Sequence, residues 1–239
     1  GFNFLASAAS DNFFNSFNSR KNMSQVLLSS AYFAPIQWYQ KLNRYDNVAV
    51  EAHDSFIKQT YRNRCLIATT AGVQALTVPV ERGTDGAADG DGAQSRKCMM
   101  KDVRISDHGN WRHLHWNALE SAYGESPFFE FYADDVRPFF ERRWTFLYDF
   151  NMEICSKMCD LIGVSPCIGT TDEYIPADDG RLDGTADFRE VIRPKHPLPD
   201  PSFTPRRYYQ VYEAKHGFLP NLSILDLLFN MGPESLLYL

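Results

Sequence analysis

The sequence predicts an α/β domain: a mixed sheet opening with a βαβ unit, then a β-hairpin, then a helical layer from the second half of the chain. Three patterns carry this expectation. Short apolar runs at 24–29 (SQVLLS) and 46–51 (DNVAVE) flank a helical spacing of Trp38, Tyr39 and Leu42 after Pro35, and a strand–helix–strand unit favours parallel pairing. The runs 64–70 and 74–79 flank Ala71-Gly72, a hairpin signal with a glycine in its turn. Phe146, Phe150, Ile154, Met158 and Leu161 recur at spacings of four and three before Gly163, as an amphipathic helix with a glycine C-cap requires.

The remaining elements follow in order. The Asp- and Gly-rich stretch 81–97 lacks the twelfth-position glutamate of a calcium loop, since the count from Asp85 reaches Arg96, and it reads as a mobile loop. Residues 103–106 read as a strand. Asp107 or Asn110 then caps a helix over 111–123, with Trp111, His115, Leu119 and Ala122 on one face. Residues 128–141 read as one aromatic-rich helix after Pro127, and 166–170 as a return to the sheet. Residues 172–206 are Pro- and Asp-rich and irregular, the mark of a binding segment or of disorder. The ending PNLSILDLLFNMGPESLLYL is a capped helix stopped at Gly232-Pro233. Inside it Asp226 sits among leucines, so it either lies on the exposed face or pairs with a buried cation; pairing is expected, with Lys215 or an arginine.

Composition excludes several functions without naming one. A chain of 239 residues can bury an ample core without disulfides or a structural metal. Its formal net charge of −6 argues against nucleic acid as a partner. No run approaches the ~18–20 apolar residues of a membrane-spanning helix. The five cysteines include Cys155 and Cys159 on one helical face, yet no CxxC or His-x-x-x-His completes a zinc site. Reduced core thiols are expected, and with them the cytoplasm. Residues 1–22 lack the basic start and apolar core of a secretory signal and read as an arm, either a tag remnant or an upstream extension. Its phenylalanines count towards the chain's 18 Phe, 12 Tyr and 4 Trp, so the aromatic excess of the rest gathers in core stripes and near Tyr32–Tyr39 and Tyr208–Tyr212. No P-loop, G-x-G-x-x-G, G-x-S-x-G or H-E-x-x-H motif occurs.

Candidate site residues are read from their positions. Ser29, Ser30 and Tyr32 close the first strand, at the ligand end of a parallel sheet, and either meet an anion or cap the next helix. Glu51 and His53 lie two apart after the second strand; a carboxylate beside an imidazole makes a general base, and a solvated loop end is the alternative. Arg62, Asn63 and Arg64 are donor-rich, and guanidinium forks suit a diphosphate; a solvated strand edge would look the same. Arg112 and His115 are helical neighbours, though His115 is equally readable as a buried, satisfied histidine. Lys215, His216 and Asn221 lie among tyrosines, an arrangement that suits stacking on a ring.

Together the segments SSAYFAPIQWYQKL, Tyr61-Arg62-Asn63-Arg64, LTVPV, KDVRI, WRHLHWNALESAYGESPFFEFY and KHGFLPNLSILDLLFNMGP resemble the WbqC-like family over nearly the whole chain. The resemblance implies one WbqC-like α/β domain over 23–239, from a family found among O-antigen and other surface-polysaccharide genes. It implies work on a sugar nucleotide or another phosphorylated small molecule, with glycine-like acyl transfer to an amino sugar as the expected reaction. Many members end the first strand in His-Gln-Pro; here the matching stretch is Leu28-Ser29-Ser30. With no P-loop, the acyl donor would arrive already activated. The expected assignment makes His53 the base oriented by Glu51, gives Arg62 and Arg64 the diphosphate, and sets Ser29 and Ser30 towards the second substrate. It calls for no cofactor and no metal. The alternative is a non-catalytic sugar-nucleotide binding or scaffold protein of the same pathway.

Overall fold

The computed structural model describes residues 24–81 and 98–239. Residues 1–22 and nearly all of the 81–97 stretch lie outside them.

The βαβ opening forms as expected. Strand β1 (Gln25–Ser29) leads through helix α1 (Ile36–Arg44) to strand β2 (Asn47–Glu51), and the two strands pair in parallel with Gln25 opposite Asn47 and Ser29 opposite Glu51. On α1 the positions Ile36, Trp38, Tyr39 and Leu42 are buried, which is the face the sequence periodicity marks. The Trp38 indole donates to the Ser29 carbonyl at 3.0 Å and so fixes α1 over the end of β1.

Strands β3 (Arg64–Thr69) and β4 (Gly72–Thr77) form the antiparallel hairpin. Gly72 has φ +106 at its turn, a conformation that costs glycine least. The hairpin stays a separate two-stranded sheet. Its Leu66 carbonyl accepts from the Ser223 amide at 2.8 Å, so the chain's last helix docks on its edge.

The helical layer follows: α2 (Trp111–Tyr123), α3 (Phe129–Val136), α4 (Pro138–Glu141) and α5 (Leu147–Ile162). The single helix expected over 128–141 is broken in two because Pro138 has no amide to continue the hydrogen-bond ladder. The strand expected at 103–106 is reduced to isolated bridges, Val80 to Ile105 and Arg104 to Phe146, because a 3₁₀ turn over Met100–Asp102 precedes it. Helix α5 ends at Gly163 with φ +76, the left-handed cap its sequence position calls for.

Strand β5 (Cys167–Thr170) then pairs in parallel with β2. The segment expected to be irregular supplies one more strand, β6 (Thr185–Asp187), which pairs in parallel with β1. The sheet order is therefore β5-β2-β1-β6. The chain ends with the short α6 (Glu213–His216), then α7 (Ile224–Met231). Ser223 caps α7 by accepting from the Leu225 amide, and a 3₁₀ turn over Gly232–Tyr238 follows.

Period-two alternation sorts the sheet's faces. Val26, Leu28, Val48 and Val50 join the main core with the helices, whereas Leu27 and Ala49 pack in a small cluster with Ile175 and Leu182. A parallel sheet must be covered on both faces; here helices cover one, and the segment around Ile175 and Leu182 covers the other.

Candidate functional site

The register of the four strands builds the site. Ser29 stands opposite Glu51, and extending the β5 and β6 pairings by one and two residues brings Thr171 level with Glu51 and Arg189 level with Ser29. One row thus crosses the C-terminal end of the sheet as Thr171, Glu51, Ser29, Arg189. Strand parity sets these side chains on the face of Leu27 and Ala49. The strand order grows outward from β1 through β2 to β5 and then returns to β1's other side at β6. Ligands of open α/β sheets bind beyond the strand ends at such a reversal.

Two buried ion clusters occupy this edge. In the first, Glu51 is fully buried. Its Oε1 accepts from the Thr171 hydroxyl at 2.6 Å and from the His53 amide at 2.8 Å, while Oε2 accepts from Arg189 Nη1 at 3.1 Å. Arg189 also grips Asp187 with Nε at 3.0 Å and Nη2 at 2.7 Å, and donates to the Ile175 carbonyl at 2.8 Å. In the second, Arg62 Nη2 donates to Asp54 Oδ2 and, at 3.0 Å, to the Ser29 hydroxyl. From α5, Asn151 donates to the Arg62 carbonyl at 2.8 Å and to Ser30 Oγ at 3.4 Å. Every charge here is paired inside the protein, as burial requires.

Some capacity remains. Arg62 Nε, Asp54 Oδ1, Asn151 Oδ1 and His53 Nδ1 are buried without hydrogen-bond partners among the described residues. Buried orphans of this kind are rare and mark strain or a missing ligand or water. Between β1 and β6, a cleft of about 10 Å³ is lined by residues including Ser29, Ser30, Thr60, Arg62 and Arg189, room for roughly one water. Beyond Ser30 the turn carries Phe33 at φ +38, a left-handed conformation that is costly for a bulky side chain. The Ser223 hydroxyl holds it by donating to the Phe33 carbonyl at 2.8 Å.

Of the residues singled out from sequence, Ser29, Ser30, Glu51 and Arg62 gather at this edge. His53 joins them with Nδ1 4.0 Å from Glu51 Oε1, beyond hydrogen-bond reach. Tyr32 is fully buried and turned inward, its hydroxyl 2.9 Å from His115 Nδ1. Burial holds His115 down at about 4, so it is neutral at physiological pH. Asn63 donates to the Val78 carbonyl, and Arg64 to the Thr77 hydroxyl across the hairpin. Arg112 pairs with Asp107 at 2.6 Å, away from the sheet edge. Lys215 and His216 both reach the Thr70 carbonyl at the hairpin turn. Asn221 clips α1 through the amide and side chain of Gln37.

Asp226 corrects its expectation. It is fully buried, and no cation among the described residues pairs with it; the hydroxyls of Tyr123 and Tyr208 donate to it at 2.8 and 2.5 Å, and Gln210 at 3.1 Å. Phenol donors take the place of the expected ammonium or guanidinium group because the polypeptide around Tyr208 folds over α7, whereas Lys215 points to the hairpin. Tyr208 is thereby a core residue rather than part of a stacking surface.

Arg189, Asp187, Thr171 and Asn151 are site residues that sequence reasoning missed. The Asp187-x-Arg189 spacing was the available signal: on a strand it puts both side chains on one face. It lay hidden because β6 is three residues long inside a Pro- and Asp-rich stretch.

A model of the WbqC-like protein family matches residues 30–193, which includes every residue of the two ion clusters except Ser29. The chain is similar to the uncharacterised protein Rv1507c of Mycobacterium tuberculosis, 26% identical over 238 residues that span 91% of this chain and 98% of that protein. No solved structure matches the chain. Among the described residues no helix is long and apolar enough to cross a membrane.

Proposed function

Because the chain belongs to the WbqC-like protein family, we propose that the C-terminal edge of its parallel sheet binds a phosphorylated sugar, in the expected case a nucleotide-linked amino sugar, and transfers an acyl or aminoacyl group to the sugar's amine. One observation carries the reading: Glu51, Asp54, Arg62 and Arg189, all buried, converge from separate segments where the strand order reverses, with donors and acceptors left over.

The chemistry needs few parts. The amine nitrogen attacks the carbonyl carbon of an activated ester or thioester; a C–N bond forms and the bond to the leaving oxygen or sulfur breaks. The proton released by the amine passes to the His53 imidazole and then to the leaving group. Glu51, fixed by Arg189 and Thr171, lies on the Nδ1 side of that ring and stabilises the imidazolium. Arg62 keeps one N–H free for a phosphate or carbonyl oxygen. The cleft must open for this, and the segment around Arg189 is the wall that would move.

A second reading, binding without turnover, is favoured by the small cleft and by the mutual pairing of its charges. One experiment separates the two. UDP- and dTDP-linked amino sugars are titrated against the protein, then incubated with acyl thioesters and checked for product by mass spectrometry. The transfer reading expects His53→Ala to keep sugar-nucleotide affinity within about twofold while turnover falls ~10²–10⁴-fold. Unchanged turnover removes His53 as the base. Binding by the wild type with no product from any thioester supports the second reading.

A further inference from the structure

A cavity with a built set of cationic donors lies elsewhere, against the first turn of α2. It measures about 360 Å³, within the ~300–1,000 Å³ of small-molecule sites. Arg112, Arg137 and Arg143 line it, with Asp107 and Glu141 as the acidic residues and Trp116 in the wall.

The charges here are arranged unlike those at the sheet edge. Asp107 holds Arg112 at 2.6 Å and Arg143 at 3.5 Å, and Glu141 holds Arg137 at 3.0 Å. Two carboxylates thus serve three guanidinium groups, and one positive charge is left over. Both carboxylate side chains are about half exposed or more, at 49% and 63%, so these pairs are weakly held and exchangeable. The orphaned groups are donors. Arg112 Nε and Nη2 and the Trp116 indole N–H are buried without acceptors among the described residues, and Trp116 is only 6% exposed.

The backbone adds to the same sign. Helix α2 starts from Asn110 in a left-handed conformation, φ 48 and ψ 34, and its side chain makes no capping bond. The first-turn amides of a thirteen-residue helix therefore have no side-chain acceptor, and the helix dipole sets partial positive charge there. Apolar ligands find little ring face: Arg137 covers Trp116 at 5.3 Å, and Arg112 covers Trp111 at 4.7 Å. Recognition in this cavity is by cation and N–H.

We propose that this cavity is a second, separate binding site for a phosphate-bearing small molecule, whose phosphate replaces Asp107 and Glu141 as the counter-ion of Arg112, Arg137 and Arg143. The assignment is independent of the acyl-transfer reading, since none of its residues lies in the sheet-edge clusters. A phosphate fits better than a single carboxylate because three guanidinium forks can share its three oxygens and second charge.

The test uses the full chain at low ionic strength, with pyrophosphate as probe and malonate as the carboxylate comparator. Binding is followed by calorimetry and by the indole ¹H–¹⁵N resonances of the tryptophans. The expected result is saturable pyrophosphate binding that shifts one buried indole resonance, with malonate at least tenfold weaker. Arg143→Gln, at a side chain 85% exposed, and Arg137→Gln should each weaken pyrophosphate about tenfold while circular dichroism stays unchanged. Arg181→Gln, in a surface cluster with Asp179 and Glu173, should leave it unchanged. Absent pyrophosphate binding, equal binding of malonate, or equal affinity in the Arg143 and Arg137 variants would each overturn the assignment. Sugar-nucleotide turnover is untouched by any of these outcomes.

Discussion

Among the described residues two regions bury a carboxylate completely, and they solve the problem in opposite ways. At the sheet edge Glu51 meets Arg189, with Thr171 and the backbone amides of His53 and Ile175 completing its shell. Under α7, Asp226 meets only neutral donors, the phenols of Tyr123 and Tyr208 and the amide of Gln210. Neutral donors cannot cancel a charge, so burial pushes the Asp226 carboxyl up despite its three hydrogen bonds; such a group fastens α2, α7 and the 208–210 segment together. A carboxylate matched to a guanidinium keeps a fixed charge in place, which a site for charged ligands requires.

Breaking the ionic region should cost most. Arg189→Met leaves Glu51 and Asp187 unmatched and should destabilise the fold by about 3–5 kcal/mol in urea unfolding. Adding Glu51→Gln to that variant should recover much of the loss. A cost under about 1 kcal/mol would mean that the pair behaves like a surface bridge.

His115 sharpens the contrast from the cationic side. Burial depresses it to about 4, so the unfolded chain binds the proton more tightly than the folded one. Its contribution is complete above its ordinary value of about 6.5 and is lost as pH falls from there towards about 4, up to roughly 3 kcal/mol. His115→Gln should flatten that acid limb of the stability profile.

Asp226 has the opposite slope. Its folded value is raised, so its contribution is complete below the ordinary carboxylate range and is lost as pH rises from there through the raised folded value. Asp226→Asn should remove this decline and lie within about 1 kcal/mol of the wild type at neutral pH, read from thermal unfolding across pH. The smallest effect belongs to the exposed Lys157–Asp135 pair at 3.2 Å, where Lys157→Ala should change stability by no more than about 0.5 kcal/mol.

The same contrast explains what was legible in the sequence. Elements with a repeating apolar period came through: β1–α1–β2, the hairpin, α2, and α5 with its glycine cap. Short elements defined by context did not. Strand β6 exists because β1 offers it an edge, and the division of α3 from α4 depends on one missing amide at Pro138. In the site, strand ends pointed to Ser29 and Glu51 and the donor-rich run 62–64 to Arg62, whereas Arg189 was hidden in a segment without periodicity. Asn63, Arg64, Lys215, His216 and Asn221 show the other limit. A polar side chain that binds its own chain's carbonyls or hydroxyls has the same letters in sequence as one that binds a ligand.

The most direct measurement is hydrogen–deuterium exchange of the full chain with and without a nucleotide-linked amino sugar. Slowed exchange is expected at 29–31, 51–54, 60–62 and 188–192, the walls of the sheet edge. Slowing confined to 107–116 and 137–143 would place the sugar nucleotide in the arginine cavity instead, and would contradict the sheet edge as its binding site.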